Sequence, residues 1–257
     1  MNTPPNPTDK APSAANVGAA GWRLFLYDEV ASTNDLAREM PSWSAVRATT
    51  QTAGRGRFGR SFVSDGGGLW LSATLPAVGG ASRWSGFSLM AGHHLLVALR
   101  KLEVPDARLR WPNDLMSGRK KLAGLLIEQG TRQALTVGFG MNVHNAPWHR
   151  DPSLAETSTR LADLSPVLPN LDALAIIVLD ALADAHYAML DGGLVGAIRE
   201  LNMHWTACPV EVSLIAGETI NGTFLGLDRN ANLRILTPAS QERLVPHHHV
   251  ARLKELD

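Results

Sequence analysis

Lys121-Leu122-Ala123-Gly124-Leu125-Leu126-Ile127-Glu128 and Ala134-Leu135-Thr136-Val137-Gly138-Phe139-Gly140-Met141-Asn142-Val143 decide the fold. Both are apolar runs of strand length. With Arg108 to Trp111 ahead of them they read as three strands in succession. The Ser117-Gly118-Arg119 connector is short enough for a hairpin, so at least part of the sheet is antiparallel. Upstream, Ser88 to Leu102 carries an apolar stripe at helical spacing (Leu89, Leu95, Leu96, Leu99, Leu102), and Leu69 to Leu75 is a strand closed by Pro76. Val46 to Gln51 reads as a further strand, and Ser32-Thr33 opens a helix carrying Leu36, Ala37 and Met40. Downstream, Leu171 to Leu190 is the clearest helix, with Gly192 and Gly193 ending it.

The pattern changes near Thr206. Val210 to Ile215, Thr219 to Leu227, Leu233 to Thr237 and Arg243 to Val245 are short β-type runs separated by Ala216-Gly217, Asn221-Gly222 and Asp228-Arg229-Asn230. The chain therefore divides into a tail (1–20), an α+β domain with a mixed sheet packed with helices (21–205) and a small β-barrel (206–257). The tail is rich in Pro, Ala, Asn and Ser, expected to be disordered, and lacks the charged start and apolar centre of a secretory signal. No apolar run reads as the ~20 residues that span a bilayer, and the expected location is cytoplasmic.

Across 257 residues, 24 Lys+Arg balance 24 Asp+Glu, which argues against a protein that coats nucleic acid. Anion chemistry must come from local clusters. The single cysteine, Cys208, excludes an intrachain disulfide. His247-His248-His249 is metal-like in composition only, and no metal site is assigned to it.

Gly54-Arg55-Gly56-Arg57-Phe58-Gly59-Arg60 is the strongest local signal. Glycines let backbone N–H groups turn inward, and arginines supply planar forks for phosphate or carboxylate. The Arg loop is followed by Arg110-Trp111-Pro112-Asn113-Asp114, by Lys121 to Glu128 and by Val137 to Val143, with Ala31-Ser32-Thr33-Asn34 and Gln51-Thr52-Ala53 upstream. In that order the pieces closely resemble the biotin–protein ligase family, from about Leu24 to Leu253.

The resemblance implies a catalytic domain of the class II aminoacyl-tRNA-synthetase-like kind and a C-terminal barrel of the SH3-like kind. It implies two reactions: biotin and ATP give biotinyl-5'-AMP and pyrophosphate, and a lysine of a biotin carboxyl carrier protein then takes the biotin. Mg2+ would accompany ATP. A biotin-dependent carboxylase carrier is the implied partner; a homodimer is left open, and neither membrane nor DNA is expected. About twenty residues precede the ligase-like region, too few for a helix-turn-helix domain, so the monofunctional type is expected. A lipoate–protein ligase and a nucleic-acid-binding regulator are the competing readings. The Arg loop with Arg110 to Asp114 disfavours the first, and neutral net charge the second.

By resemblance, Arg57, Lys121 and Asp114 are the catalytic candidates. Arg57 would hold the biotin carboxylate and the adenylate phosphate, Lys121 would offset charge on the α-phosphate, and Asp114 would hold Mg2+ or take a proton from the incoming lysine. Ser32, Thr33, Asn34, Gln51, Gly54, Arg55, Gly56, Arg57, Lys121 and Gly124 are the biotin-site candidates. Gly124, inside a strand, suggests close approach of the biotin rings to the backbone. Arg57, Arg60, Phe62, Trp111, Asn113 and Asn142 are the nucleotide-site candidates. Two departures stand out: some family members have tryptophan at Phe62, and the family usually has lysine at Arg110. Arg119 and Lys120 read as a wet loop edge.

Overall fold

The computed structural model describes residues 13–129 and 133–256. Eight strands form one mixed sheet: β1 (Ser13–Val17), β2 (Trp22–Val30), β3 (Ser44–Gln51), β4 (Leu69–Pro76), β5 (Ala107–Arg110), β6 (Asp114–Ser117), β7 (Lys120–Gln129) and β8 (Ala134–Met141). Their order is β1-β2-β3-β4-β8-β7-β6-β5. Helix α1 (Thr33–Arg38) crosses between β2 and β3, the parallel pair, and the other pairings are antiparallel. Helices α2 (Phe87–Lys101), α3 (Leu171–Asp191) and α4 (Val195–His204) complete this part. Five strands, β9 (Cys208–Leu214), β10 (Thr219–Leu227), β11 (Leu233–Leu236), β12 (Glu242–Val245) and β13 (Val250–Glu255), form a second, antiparallel sheet in the order β12-β11-β10-β9-β13.

One face of the large sheet is apolar because alternate residues point to it. Leu69, Leu71, Ala73 and Leu75 of β4 and Leu135, Val137, Phe139 and Met141 of β8 are buried there. The α2 stripe (Leu89, Leu95, Leu96, Leu99) and the α3 stripe (Leu174, Val178, Leu182, Ala185) pack into the same core. Each large side chain so buried contributes about 1.5–3 kcal/mol. Contrary to the sequence reading, α3 is long and apolar enough to cross a membrane, at 21 residues and a mean hydropathy of 1.6. Here it is a core helix, packed against α2 and β4.

The expected disordered tail to residue 20 is corrected by β1. Its first four residues are exposed and it pairs with β2 in register, Ser13 opposite Leu26 and Val17 opposite Trp22; only its last residue, Val17, packs on the core, so no apolar pattern announces it. The turn is fixed by Asp180, which accepts the Ala19 N–H at 2.9 Å. The part of that expectation covering residues 1–12 lies outside the described residues. Strands β6 and β13 and helix α4 are also additions to the sequence reading, and α4 ends just before Thr206.

Strand β13 joins the two sheets. Arg108 of β5 donates two hydrogen bonds to Glu255, at 2.8 and 2.7 Å, and Trp205 Nε1–H donates to Leu109 O at 2.5 Å. Asn202 of α4 exchanges two bonds with the Leu227 backbone, and a Cβ at Gly226 would strike its amide.

His186 of α3 is 2% exposed, stacks on Trp84 and bonds Pro76 O at 2.9 Å through Nε2, while Nδ1 is buried without a partner. Burial pushes its pKa below the ordinary histidine value, the Pro76 carbonyl opposing. The unfolded chain therefore takes the proton more readily, so this contribution is complete above pH ~6.5 and is lost as the pH falls below it. Wild-type melting temperature is expected to fall more steeply between about pH 7.5 and 5.5 than that of His186→Gln; parallel curves in a thermal melt series would refute this.

Candidate active site

The second face of the large sheet gathers charged and polar groups around a cavity. Cross-strand register sets Arg110, Asp114, Gly124, Gly140 and Trp70 in one row across β5, β6, β7, β8 and β4. Two residues along, Leu126, Gly138 and Ser72 form the next row. Three positions on this face thus lack a Cβ, and other side chains lie where it would be. A Cβ at Gly124 would sit 2.9 Å from Lys121 Nζ, and one at Gly140 would sit 3.0 Å from the Phe62 ring. At Gly138 it would collide with the Asn34 amide. Above this floor is a cavity of about 590 Å³.

Lys121 reaches the floor through a β-bulge. Met116 pairs with Lys121 but Leu115 with Ala123, so β7 carries one extra residue. The extra residue brings the Lys121 side chain onto the face of Gly124, three positions away, where simple alternation would separate them. The Lys121 backbone is held from its other side, its N–H to Thr157 O at 2.8 Å and its C=O from Thr159 N at 2.9 Å.

Asp114 is shared by two cations. Its Oδ1 is 2.6 Å from Lys121 Nζ and its Oδ2 is 2.7 Å from Arg110 Nη2. Burial raises the Asp114 carboxyl, yet Lys121 and Arg110 outweigh it and hold the pKa below the ordinary aspartate value. Asp114 is therefore a carboxylate at neutral pH. The Lys121 ammonium also lies 5.5 Å from the Phe62 ring centre, and Phe62 meets Trp70 edge-on.

At the other end the groups are polar and buried. Ser32, Thr33 and Asn34 are at most 4% exposed, and Ser32 starts α1 without a side-chain cap bond. Thr33 N–H and Oγ1–H both donate to Gln51 Oε1, at 2.9 and 3.0 Å, and Gln51 Nε2 donates to Ser64 Oγ at 2.9 Å. Asn34 accepts from Ser72 Oγ at 2.6 Å and donates to Glu128 at 2.9 Å.

The Arg loop folds as a hydrogen-bonded turn. Phe62 N bonds Gly54 O at 2.9 Å, and Gly56 N bonds Arg60 O at 2.7 Å. Its three arginines do different things. Arg55 is tied by both nitrogens to Asp35 of α1 and lies 3.6 Å from Glu128. Arg57 lies over the Phe58 ring, and among the described residues no carboxylate or hydrogen-bond acceptor pairs with it. Burial holds its pKa below the usual arginine range, with Asp114 opposing and Arg60 adding to the effect. A half-buried cation without a counter-ion suits an anion. Arg60 is exposed at the mouth.

The structure brings Ser32, Thr33, Asn34, Gln51, Arg55, Gly56, Arg57, Arg60, Phe62, Trp111, Asn113, Asp114, Lys121, Gly124 and Asn142 to this one cavity. Gly54 is outside it: a Cβ there would strike Ser64 and the Phe62 carbonyl, so its smallness serves the loop crossing. Gly124 makes room for the Lys121 ammonium. Asn113 bonds both polar groups of Leu125, and Asn142 bonds Thr159 O and Asn145, so both are also internal ties. Lys120 differs from a wet loop edge, since its Nζ donates to Ala155 O at 3.0 Å. Sequence reasoning missed Ser72, Asp35 and the contribution of β13, whose residues 251–255 line the mouth. Gly138 and Gly140, two apart in a strand, were the readable sign of a face kept clear.

Residues 28–142 match the sequence profile of the Biotin/lipoate A/B protein ligase family. The biotin protein ligase from Aquifex aeolicus, solved in complex with biotin and ATP, superposes with a TM-score of 0.78 at 25% identity, over 91% of this chain and 99% of that one. Over residues 28–142 the chain is therefore similar to the biotin/lipoate A/B protein ligase family. A biotin–[acetyl-CoA-carboxylase] ligase from Mycobacterium tuberculosis is 35% identical over 172 residues, covering 62% of this chain and 63% of that protein. The bifunctional ligase/repressor BirA from Escherichia coli is 37% identical over 132 residues, 48% of this chain and 41% of the relative. These matches therefore span less than two thirds of the curated relatives' lengths.

Gly138→Ala is expected to cost about 1–3 kcal/mol, because the new methyl displaces Asn34 from Ser72 and Glu128. Gly192→Ala, where a Cβ meets nothing within 4 Å, should stay within about 0.5 kcal/mol of wild type. Equal denaturation midpoints for the two variants would contradict the glycine-floor reading.

Proposed function

We propose that the chain is an ATP-dependent ligase that activates biotin as biotinyl-5'-AMP and transfers it to a lysine of a biotin carboxyl carrier protein. One observation carries this reading: a half-buried Arg57, with no carboxylate partner among the described residues, lines the same cavity as the Lys121–Asp114–Arg110 array and the buried polar groups Thr33, Asn34 and Gln51. The Aquifex protein solved with biotin and ATP supports it, as does the carboxylase-ligase name of the mycobacterial relative.

The assignment of roles follows from charge. The ureido ring needs donors and acceptors, which Ser32, Thr33 and Gln51 offer at the closed end. In the first step a biotin carboxylate oxygen forms a bond to the α-phosphorus, and the bond to the pyrophosphate oxygen breaks. Two anions meet, and Arg57 offsets their repulsion, with Lys121 on the side where charge grows. Mg2+ would enter with the nucleotide and supply charge neutralisation at its phosphates. In the second step the carrier lysine nitrogen, once deprotonated, bonds to the acyl carbon and AMP leaves. Phe62 offers a stacking face for adenine without the N–H donor of tryptophan.

Purified protein with ATP, Mg2+ and biotin should release pyrophosphate, and lipoate in place of biotin should not; release with lipoate alone would transfer the chain to the lipoate branch of the family. Arg57→Ala should weaken biotinyl-AMP more than free biotin, by roughly 1.5–3 kcal/mol for one charge-assisted contact, with calorimetry as the measurement. Equal losses would remove Arg57 from the phosphate. Lys121→Ala should slow adenylate formation by about 10²–10³ while exposed Lys101→Ala changes it less than about threefold, and similar single-turnover rates would remove Lys121 from the chemistry.

A further inference from the structure

Lys121 is engaged before any substrate arrives. Its Nζ sits 2.6 Å from Asp114 Oδ1, flat over the backbone of Gly124. To offset charge on a phosphate it must loosen that contact. If Asp114 had no other cation, the move would strand a largely buried carboxylate, and breaking one partner from such a pair is strongly unfavourable. The carboxylate would then hold the lysine back.

We propose that Arg110 is a positioning residue: it is the standing counter-ion of Asp114 and so frees Lys121 to pass from Asp114 to the phosphate during adenylate formation. The inference rests on the ligase reading above. Arg110 and Asp114 are directly opposite in the β5–β6 hairpin, and Arg110 Nη2 holds Asp114 Oδ2 at 2.7 Å, the oxygen that Lys121 does not use. The two cations therefore do not compete for one atom. The three-residue connection between them is fixed as well. Trp111 is buried, and Asn113 grips Leu125 through its carbonyl and its side-chain amide. A guanidinium is charged at every working pH and keeps its fork geometry, so Asp114 remains a paired carboxylate after Lys121 has left.

The consequence for the reaction is specific. Arg110 should affect the adenylation rate without touching biotin's binding groups at Thr33 and Gln51, which lie at the other end of the cavity. Lysine at position 110 would preserve the charge and most of the effect. Removing the carboxylate that Arg110 serves should relieve the need for Arg110.

The test is single-turnover adenylate formation with Arg110→Gln, Arg110→Lys, Asp114→Asn and the Arg110→Gln/Asp114→Asn pair, alongside biotin affinity. Arg110→Gln should slow formation roughly tenfold or more with biotin affinity held within about twofold. Arg110→Lys should retain most of the wild-type rate, and the double variant should be at least about fivefold faster than Arg110→Gln. A merely structural loss would lower the adenylation rate and biotin affinity together, whereas the positioning role lowers the rate alone. Should the glutamine variant not fold, Arg110→Met repeats the comparison at similar side-chain length. A glutamine variant within about twofold of wild type, or a double variant no faster than the single one, would overturn the inference. Wild-type pyrophosphate release with biotin is measured first; its absence would refute the ligase reading, whereas a normal wild type with an unaffected Arg110→Gln refutes this inference alone.

Discussion

Absence of side chains at three strand positions governs this site. Gly124, Gly138 and Gly140 leave bare backbone on one face of the sheet, and Lys121, Asn34 and Phe62 lie down into those gaps. Replace any one with alanine and one of these side chains must move. The opposite face of the same strands is filled by Leu125, Val137 and Phe139, which keep the backbone from shifting to compensate. A rigid apolar face is thus the condition for an open polar one.

Charge is distributed over that floor with a division of labour. Arg55 belongs to Asp35 and Glu128, and serves as an anchor for the loop. Arg110 and Lys121 divide Asp114 between its two oxygens. Arg57 is the half-buried arginine of the loop left without a counter-ion among the described residues, and that lack is the opening for an anion. Three arginines alternate with glycines in the same seven residues of sequence, yet only the fold separates the ion-paired Arg55 from an Arg57 without a carboxylate partner among the described residues.

Much of this was legible in the sequence, and the limits have physical causes. Long runs such as Lys121 to Glu128 and Leu171 to Leu190 declare themselves because burial selects a regular apolar pattern. Strand β6 is four residues long, too short for Leu115 and Met116 to show a periodic pattern, and β1 is mostly exposed, with only Val17 packed on the core. The Arg loop and Lys121 could be singled out by residue type and order. What Gly124 accommodates could not, because it depends on a bulge that shifts Lys121 by one position across β7. Asp35 and Ser72 were invisible for a similar reason, since their partners are 20 and 38 residues away.

The most direct measurement is a crystal structure with a non-hydrolysable analogue of biotinyl-AMP. The account predicts the ureido ring among Thr33, Asn34 and Gln51, the phosphate mimic on Arg57, and Lys121 turned from Asp114 toward it while Arg110 still holds Asp114. A ligand bound outside the glycine floor, or a phosphate mimic with Arg57 and Lys121 both turned away, would contradict it.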